Sequence, residues 1–339
     1  ETGKVTDLTR ADIMNAPGVY GPSTTDFSSL MSGFSTPLSD VFIWTGVTTF
    51  PGAKTTKLIM RRIPTAGQTF YFGTGDSTIN NGYEKNRFQV KFTKDVWLGV
   101  FELTQGQYKT LMGEFPACNF TGSSEAERAT LPVEKVAPGT LEGTTGNGSW
   151  QLRTPAEGSF LYKLRAKFGN KYVICPPTEA QWEFAAVAGH ACDSADPYPY
   201  KDKFPNGLSA DPSARSGTIP LGLENARKTD VVYGQQTAAV GSKYPNAYGL
   251  YDILGNVQEW MGDYYLPNPN KAETGWGYDL TKQPIVDPTS HATQSPWGSH
   301  RVWKGNHYQS SSVRVTYRSG DTSQSAYAST GFRLSCQCE

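Results

Sequence analysis

Asp252 and Glu259 concentrate more potential chemistry than any other pair of residues in this chain. They lie within Tyr251-Asp252-Ile253-Leu254-Gly255-Asn256-Val257-Gln258-Glu259-Trp260. Gly255-Asn256 interrupts helix and strand alike, so the two carboxylates cannot face each other across a regular element. A turned segment, in contrast, folds two carboxylates and some backbone carbonyls around one hard cation, because calcium takes oxygen ligands in flexible geometry. The competing reading is a surface turn between apolar anchors, and residue types alone favour it.

Other reactive side chains form no recognisable constellation. Five cysteines (Cys118, Cys175, Cys192, Cys336 and Cys338) are odd in number, so at least one is free or pairs between chains. Cys336-Gln337-Cys338 is too tight for an ordinary bridge between its two members, and no second C-x-x-C accompanies it for zinc. His190, His291, His300 and His307 show no ligand spacing such as H-x-x-x-H. His300 and His307 flank one strand, but a lone core or surface histidine is the simpler reading. Neither a Ser-His-Asp arrangement nor a phosphate-cradling glycine loop stands out. The sequons at Asn119 and Asn147 are common by chance.

Composition narrows the classes of function. The 339 residues carry 31 Lys and Arg against 31 Asp and Glu, a formal net charge of zero. That removes the electrostatic footprint of a nucleic-acid or anionic-membrane binder. No apolar run approaches the roughly 20 residues that span a bilayer. With 35 Gly, 22 Pro and only 18% charged residues, a loop-rich fold is expected rather than a helical bundle.

The elements that must position these residues are short. Residues 1–57 show no clear period and read as an irregular N-terminal extension, followed by one domain over residues 58–339. Strand patterns cover 58–64, 67–73, 87–92 and 96–102. Thr104 caps a helix from Gln105 to Met112 with Tyr108, Leu111 and Met112 inward. Residues 137–158 read as a long loop. A helical spacing covers Phe160–Phe168, a short strand 172–174, and a second capped helix opens at Pro177-Thr178-Glu179. Arg301–Lys304 and Gly331–Leu334 read as a C-terminal strand pair. Two main helices among short strands and many long loops predict an α+β fold.

In order, these segments resemble the formylglycine-generating (sulfatase-modifying factor) family, which has a C-type-lectin-like fold. The resemblance runs from Ile63-Pro64 to Phe72-Gly73, then through Trp97-Leu98-Gly99 with Glu102-x-Thr104 and Tyr108, and Pro132-Val133. It continues with Pro177-Thr178-Glu179-Ala180-Gln181-Trp182-Glu183, Gly249-Leu250-Tyr251-Asp252 to Trp260, Arg301-Val302-x-Lys304-Gly305 and Gly331-Phe332-Arg333-Leu334. It implies Ca²⁺ at the turn, with side-chain oxygens from Asp252 and Glu259 and carbonyls from Gly255 and Val257. A second family calcium site has Asn225 and Asp230 as candidates, with altered spacing.

The same resemblance argues against the family's oxidase chemistry. Two copper-binding cysteines are expected after Lys-Gly, and counting from Lys304-Gly305 they fall on Ser310 and Val315. Thiolates suit Cu(I), and neither residue supplies one. The aromatic residue inside the calcium motif is replaced by Gln258. No copper is therefore expected. A related branch holding iron with three histidines lacks the required spacing here.

Between Gly305 and Gly331 the chain is rich in Ser, Tyr, Thr, Asn and His, the palette of adaptable binding surfaces. Trp303, Asn306, His307, Tyr308, Ser310, Ser312, Tyr317, Arg318, Asp321 and Tyr327 are the expected contact residues. Val313, Val315 and Arg333 are expected to point inward as scaffold. Some members of this fold are variable proteins of diversity-generating retroelements, in which this segment is randomised. The expectation is a monomeric, non-catalytic, calcium-stabilised protein that binds a protein or glycan. Its expected location is outside the cytoplasm, on a cell surface or virion. The alternative is a metal-dependent oxidoreductase acting on a peptide or small molecule.

Overall fold

The computed structural model describes residues 19–20, 43–44, 52–73, 87–143, 154–187, 231–265, 282–289, 300–310 and 315–337, apart from single positions within these spans. Asn225, Asp230, Ser312 and Val313, expected above as calcium, binding-face and scaffold positions, lie outside the described residues.

Strands are short, and helices fill the gaps between them. In chain order the strands are β1 (Val19–Tyr20), β2 (Ile43–Trp44), β3 (Met60–Ile63), β4 (Thr69–Phe72), β5 (Phe88–Lys91), β6 (Val96–Gly99), β7 (Val173–Cys175), β8 (Gln258–Tyr264), β9 (Ile285–Val286), β10 (Arg301–Lys304), β11 (Ser319–Asp321), β12 (Thr330–Gly331) and β13 (Ser335–Gln337). The helices are α1 (Gln105–Met112), α2 (Glu125–Thr130), α3 (Pro138–Glu142), α4 (Phe160–Lys167) and α5 (Glu179–Val187). This is the expected α+β architecture, with elements also where none was expected. The α3 turn falls inside the stretch expected to be all loop, and β1 pairs β2 inside the extension expected to be irregular.

Local chemistry fixes the helix starts. Thr104 accepts from Gln107 N while the Gln107 side chain accepts from Thr104 N, a reciprocal capping box, and Gly113 ends α1 in the left-handed region. Thr178 and Gln181 repeat the same exchange at the start of α5.

The sheet that carries the site has the order β11-β10-β8-β12. The expected C-terminal strand pair is corrected here: β10 and β12 do not pair with each other but flank β8, antiparallel and parallel respectively. Every residue of β8 is buried, because both faces of the sheet are covered. Met261 and Val302 belong to one core, with Phe72, Trp182 and Phe184. Trp260 and Trp303 pack into another, with Phe160, Ile174 and Phe332. Only glycine fits at position 331 on β12, because a Cβ there would come within 2.2 Å of Val133 O.

Candidate functional site

The turn Asp252–Asn256 is held by backbone conformations that few sequences tolerate. Asp252, Gly255 and Asn256 all have positive φ, at 54°, 86° and 50°. Asn tolerates this left-handed region best among residues with a side chain, Asp also visits it, and Gly enters freely. At Gly255 there is no room for anything larger, since a Cβ would approach Val231 Cγ1 to 2.5 Å and Val232 O to 2.7 Å. Glu102 locks the far side, its carboxylate accepting from Asn256 Nδ2 at 2.6 Å and from Val257 N at 3.0 Å. Sequence reading passed over Glu102 as a site residue. Its signal was there in the Glu102-x-Thr104 match at the entry to α1.

Asp252 and Glu259 have different fates. Both oxygens of Glu259 accept from Arg333, at 2.7–2.9 Å, and Trp182 Nε1 donates to Oε2 at 2.9 Å. Arg333 also donates to the carbonyls of Gly99 and Tyr251. Arg333 is the inward scaffold residue expected from sequence. Its guanidinium fork occupies the lone pairs that Glu259 was expected to offer calcium, so Glu259 is not an open ligand. Asp252 Oδ2 accepts from Gly241 N at 2.6 Å, whereas Oδ1 is buried without a hydrogen-bond partner.

Charge is therefore in surplus. Glu102, Asp252 and Glu259 act on one another at short range, and the cations that act on them are the buried Arg333 and, at the edge, the half-buried Lys54. Burial, then the neighbouring carboxylates, hold Glu102 well above the usual carboxylate range. Burial is also the main cause that raises Asp252 to about 6. A cation would fit this environment through Asp252 Oδ1 and carbonyls of the turn. Among the described residues, no three His, Cys, Asp or Glu side chains group as a metal site on their own.

A second buried network ties down the C-terminal segment. Arg318 makes a two-pronged contact with Glu179, Nε to Oε1 at 2.6 Å and Nη2 to Oε2 at 2.9 Å. Lys304 Nζ lies 2.6 Å from Glu183 Oε2 and 3.5 Å from Glu179 Oε1. The N–H of Glu179 at the start of α5 donates to Asp263 on β8 at 2.5 Å. Thus one carboxylate, Glu179, grips both ends of residues 305–317. Trp182 joins this network to the first by donating to Glu259.

The expected binding face is accordingly redistributed. Arg318 is 2% exposed and Asn306 5% exposed, so both are corrected to scaffold positions: one is consumed by Glu179, the other buried beside the turn with a φ of 58°. Tyr308 is buried too, its ring set edge-on against Phe120 at 5.5 Å and its N–H donating to Asn256 O. His307, Ser310, Tyr317, Asp321 and Trp303 are partly exposed, and Tyr327 is 42% exposed. Tyr327 stands edge-on to Trp303 at 5.6 Å, and its hydroxyl donates to Asp321. Ser310 Oγ accepts from His307 N, and Val315 is buried in the core as expected. Among the described cysteines, Cys118 and Cys175 are free thiols.

The match to known proteins agrees with this architecture. The model of the sulfatase-modifying factor enzyme 1-like domain matches residues 51–337. The chain belongs to this family. The formylglycine-generating enzyme of Mus musculus is 31% identical over 302 residues, covering 81% of this chain and 74% of that enzyme. The formylglycine-generating enzyme of Thermomonospora curvata is 32% identical over 168 residues, 46% of this chain and 47% of its own length, so that match spans about half of the relative. A mouse relative described as inactive Cα-formylglycine-generating enzyme 2 is 32% identical over 159 residues, covering 46% of this chain and 41% of its own. Among solved structures, Treponema denticola variable protein 1 superposes with a TM-score of 0.53 at 23% identity, over 82% of this chain and 94% of that one. PvdO from Pseudomonas aeruginosa gives the same TM-score at 19% identity, again over 82% of this chain and 94% of that one.

Within the sulfatase-modifying factor family, then, catalytic and inactive chains share one scaffold. This member keeps the turn and its buried carboxylates. It places a hydroxyl and an apolar side chain, Ser310 and Val315, where copper-binding thiols are expected. Gln258 is also absorbed into the scaffold, donating to Thr330 Oγ1 at 2.7 Å across β8 and β12.

Proposed function

We propose that this chain is a non-catalytic ligand-binding protein that presents its C-terminal segment on a calcium-braced scaffold, as a diversity-generating retroelement variable protein does. The carrying observation is the division of labour between residues 304 and 333. Lys304, Arg318 and Arg333 are buried in ion pairs with Glu179, Glu183 and Glu259, while His307, Ser310, Tyr317, Asp321 and Tyr327 reach the surface. A segment fastened from below in this way can change its outer residues without disturbing the core. The likeness of fold to Treponema denticola variable protein 1 supports this reading. The ligand is a protein or a glycan, and display outside the cytoplasm as a monomer follows from the same reading.

Calcium in this proposal rests on Asp252, whose Oδ1 is the open oxygen, together with the carbonyls of Gly255 and Val257 in the same turn. A bound divalent cation would neutralise the surplus anionic charge there; its chemistry is structural, not redox.

The second reading, a metal-dependent oxidase, is favoured by the long match to the mouse formylglycine-generating enzyme. It requires thiolates that Ser310 and Val315 do not provide. Metal analysis after equilibration with Cu(I) and with Ca²⁺, followed by incubation with a cysteine-containing sulfatase peptide, separates the two. The expected result is one calcium, lost in Asp252→Asn, no stoichiometric copper, and an unmodified peptide. Stoichiometric copper with oxidation of the peptide cysteine would overturn the binding-protein reading.

A further inference from the structure

We infer that the binding face extends beyond the C-terminal segment onto Asn119–Phe120 and Tyr233–Gln236, and that the extended face takes a neutral glycan. The inference rests on the ligand-binding reading above and adds to it two fixed segments and a ligand class.

Hydrogen bonds and ring contacts join these segments into one run. Gly234 N donates to Tyr308 O at 2.7 Å, which sets the 233–236 turn beside His307 and Gln309. Asn256 N in turn donates to Val232 O, so the same turn is also held from below. On the other side Phe120 packs edge-on against Tyr308. Glu134, buried, accepts from Asn119 N and from Phe120 N at 2.9 Å and fixes that corner. Lys135 then links it onward, its Nζ donating to Asn119 Oδ1 at 2.9 Å and its N–H to Tyr327 O at 3.0 Å. Two of the exposed large apolar side chains of the described residues, Tyr233 at 41% and Tyr327 at 42%, therefore stand at opposite ends of a single run.

The chemistry of this run points to hydroxyl-bearing rings. Its outward side chains are aromatic rings and planar amides, with Gln235, Gln236, Gln309 and Asn119 exposed. Amides offer a donor and an acceptor together, which matches neighbouring hydroxyls, and aromatic faces accept the apolar C–H faces of sugars. Among the described residues, the charges at the surface of these segments, Lys135 and Asp321, cancel. His307 accepts from Gln309 N at Nδ1, so its ring is held as the neutral imidazole, in line with burial lowering its pKa. A protein partner would instead require a central anchor to desolvate. The aromatic residues in the middle, Tyr308 and Phe120, are already packed on each other.

A glycan array carrying neutral, sialylated and sulfated glycans, probed with the full chain, tests this directly. The expected result is binding to neutral glycans that persists at high salt, since no charge pairing is screened. Tyr233→Ala and Gln235→Ala should each weaken that binding by roughly tenfold, as should Tyr327→Ala, with melting curves unchanged. Tyr162→Ala, an exposed tyrosine on α4 outside the run, should leave binding as it is. Loss of binding in Tyr327→Ala but not in Tyr233→Ala or Gln235→Ala overturns the extension and leaves the C-terminal reading standing. Indifference to all three overturns both. Binding only to charged glycans, or to a purified protein and to no glycan, overturns the ligand class.

Discussion

Replacing Asp252 by Asn should stabilise the calcium-free protein at neutral pH, although it removes a charged residue from a family motif. Asp252 is fully buried and has one unpaired oxygen, and its pKa is raised from 3.8 to about 6. A carboxyl whose pKa is higher in the folded state binds its proton more tightly there. Its contribution to stability is complete below the unfolded value and is lost as pH rises through the folded value. At about 1.4 kcal/mol per pKa unit, the penalty above pH 6 is about 3 kcal/mol. Asn keeps the acceptor for Gly241 N, removes the charge, and suits the left-handed φ of 54° at this position. In EGTA the variant should melt with wild type near pH 4 and roughly 5–10 °C above it at pH 7.5. Added Ca²⁺ should raise the wild type alone, because a ligand of the folded state stabilises by mass action and the variant lacks the ligating oxygen. Differential scanning fluorimetry across this grid of pH and calcium is sufficient. A variant that melts below wild type in EGTA at pH 7.5, or a difference that does not grow between pH 4 and 7, would refute the account of surplus charge.

Three further outcomes are expected. Glu179→Ala removes the two-pronged partner of buried Arg318 and leaves buried Lys304 with Glu183 alone, and should cost about 3–5 kcal/mol in urea unfolding. Gly255→Ala meets both a φ of 86° and a wall at Val231 Cγ1, and should lower stability by about 1–3 kcal/mol with loss of any calcium response. Cys118, whose thiol is pushed up to about 12 by burial, should react with iodoacetamide at pH 8 at least roughly 100-fold more slowly than free cysteine. Mass spectrometry of the native and urea-unfolded protein measures the ratio.

Much of the fold was legible because local chemistry announces it. Thr104 with Gln107, and Thr178 with Gln181, are capping pairs readable from spacing alone, and both helices begin where those pairs place them. The alternation in Phe88–Lys91 marked a half-buried strand, and its burial alternates accordingly. β8 was not legible as a strand. Gln258, Glu259 and Asp263 make it look like the tail of a polar turn, yet all its residues are buried because their polar groups have partners from distant segments. The same blindness explains Arg318. An arginine between Tyr317 and Ser319 reads as surface until Glu179, 139 residues earlier in the chain, is known to lie beneath it. Glu259 was misjudged for the mirror reason, since the fork that saturates it belongs to Arg333, 74 residues later. Pairing across such separations is a property of topology, and one sequence carries no trace of it.

The grip of Glu179 on both Lys304 and Arg318 has a consequence for length as well as composition. Lys304 and Arg318, which flank the stretch from Gly305 to Tyr317, are both held to one carboxylate, so the two ends of that stretch are fixed by the scaffold. Extra residues inserted between these fixed ends would add only the slow logarithmic cost of a longer connection, about 0.6 kcal/mol for each doubling. The segment is in effect a socketed cassette. Insertions that enlarge or reshape it should be accepted more readily than a single change to the glutamate at its base.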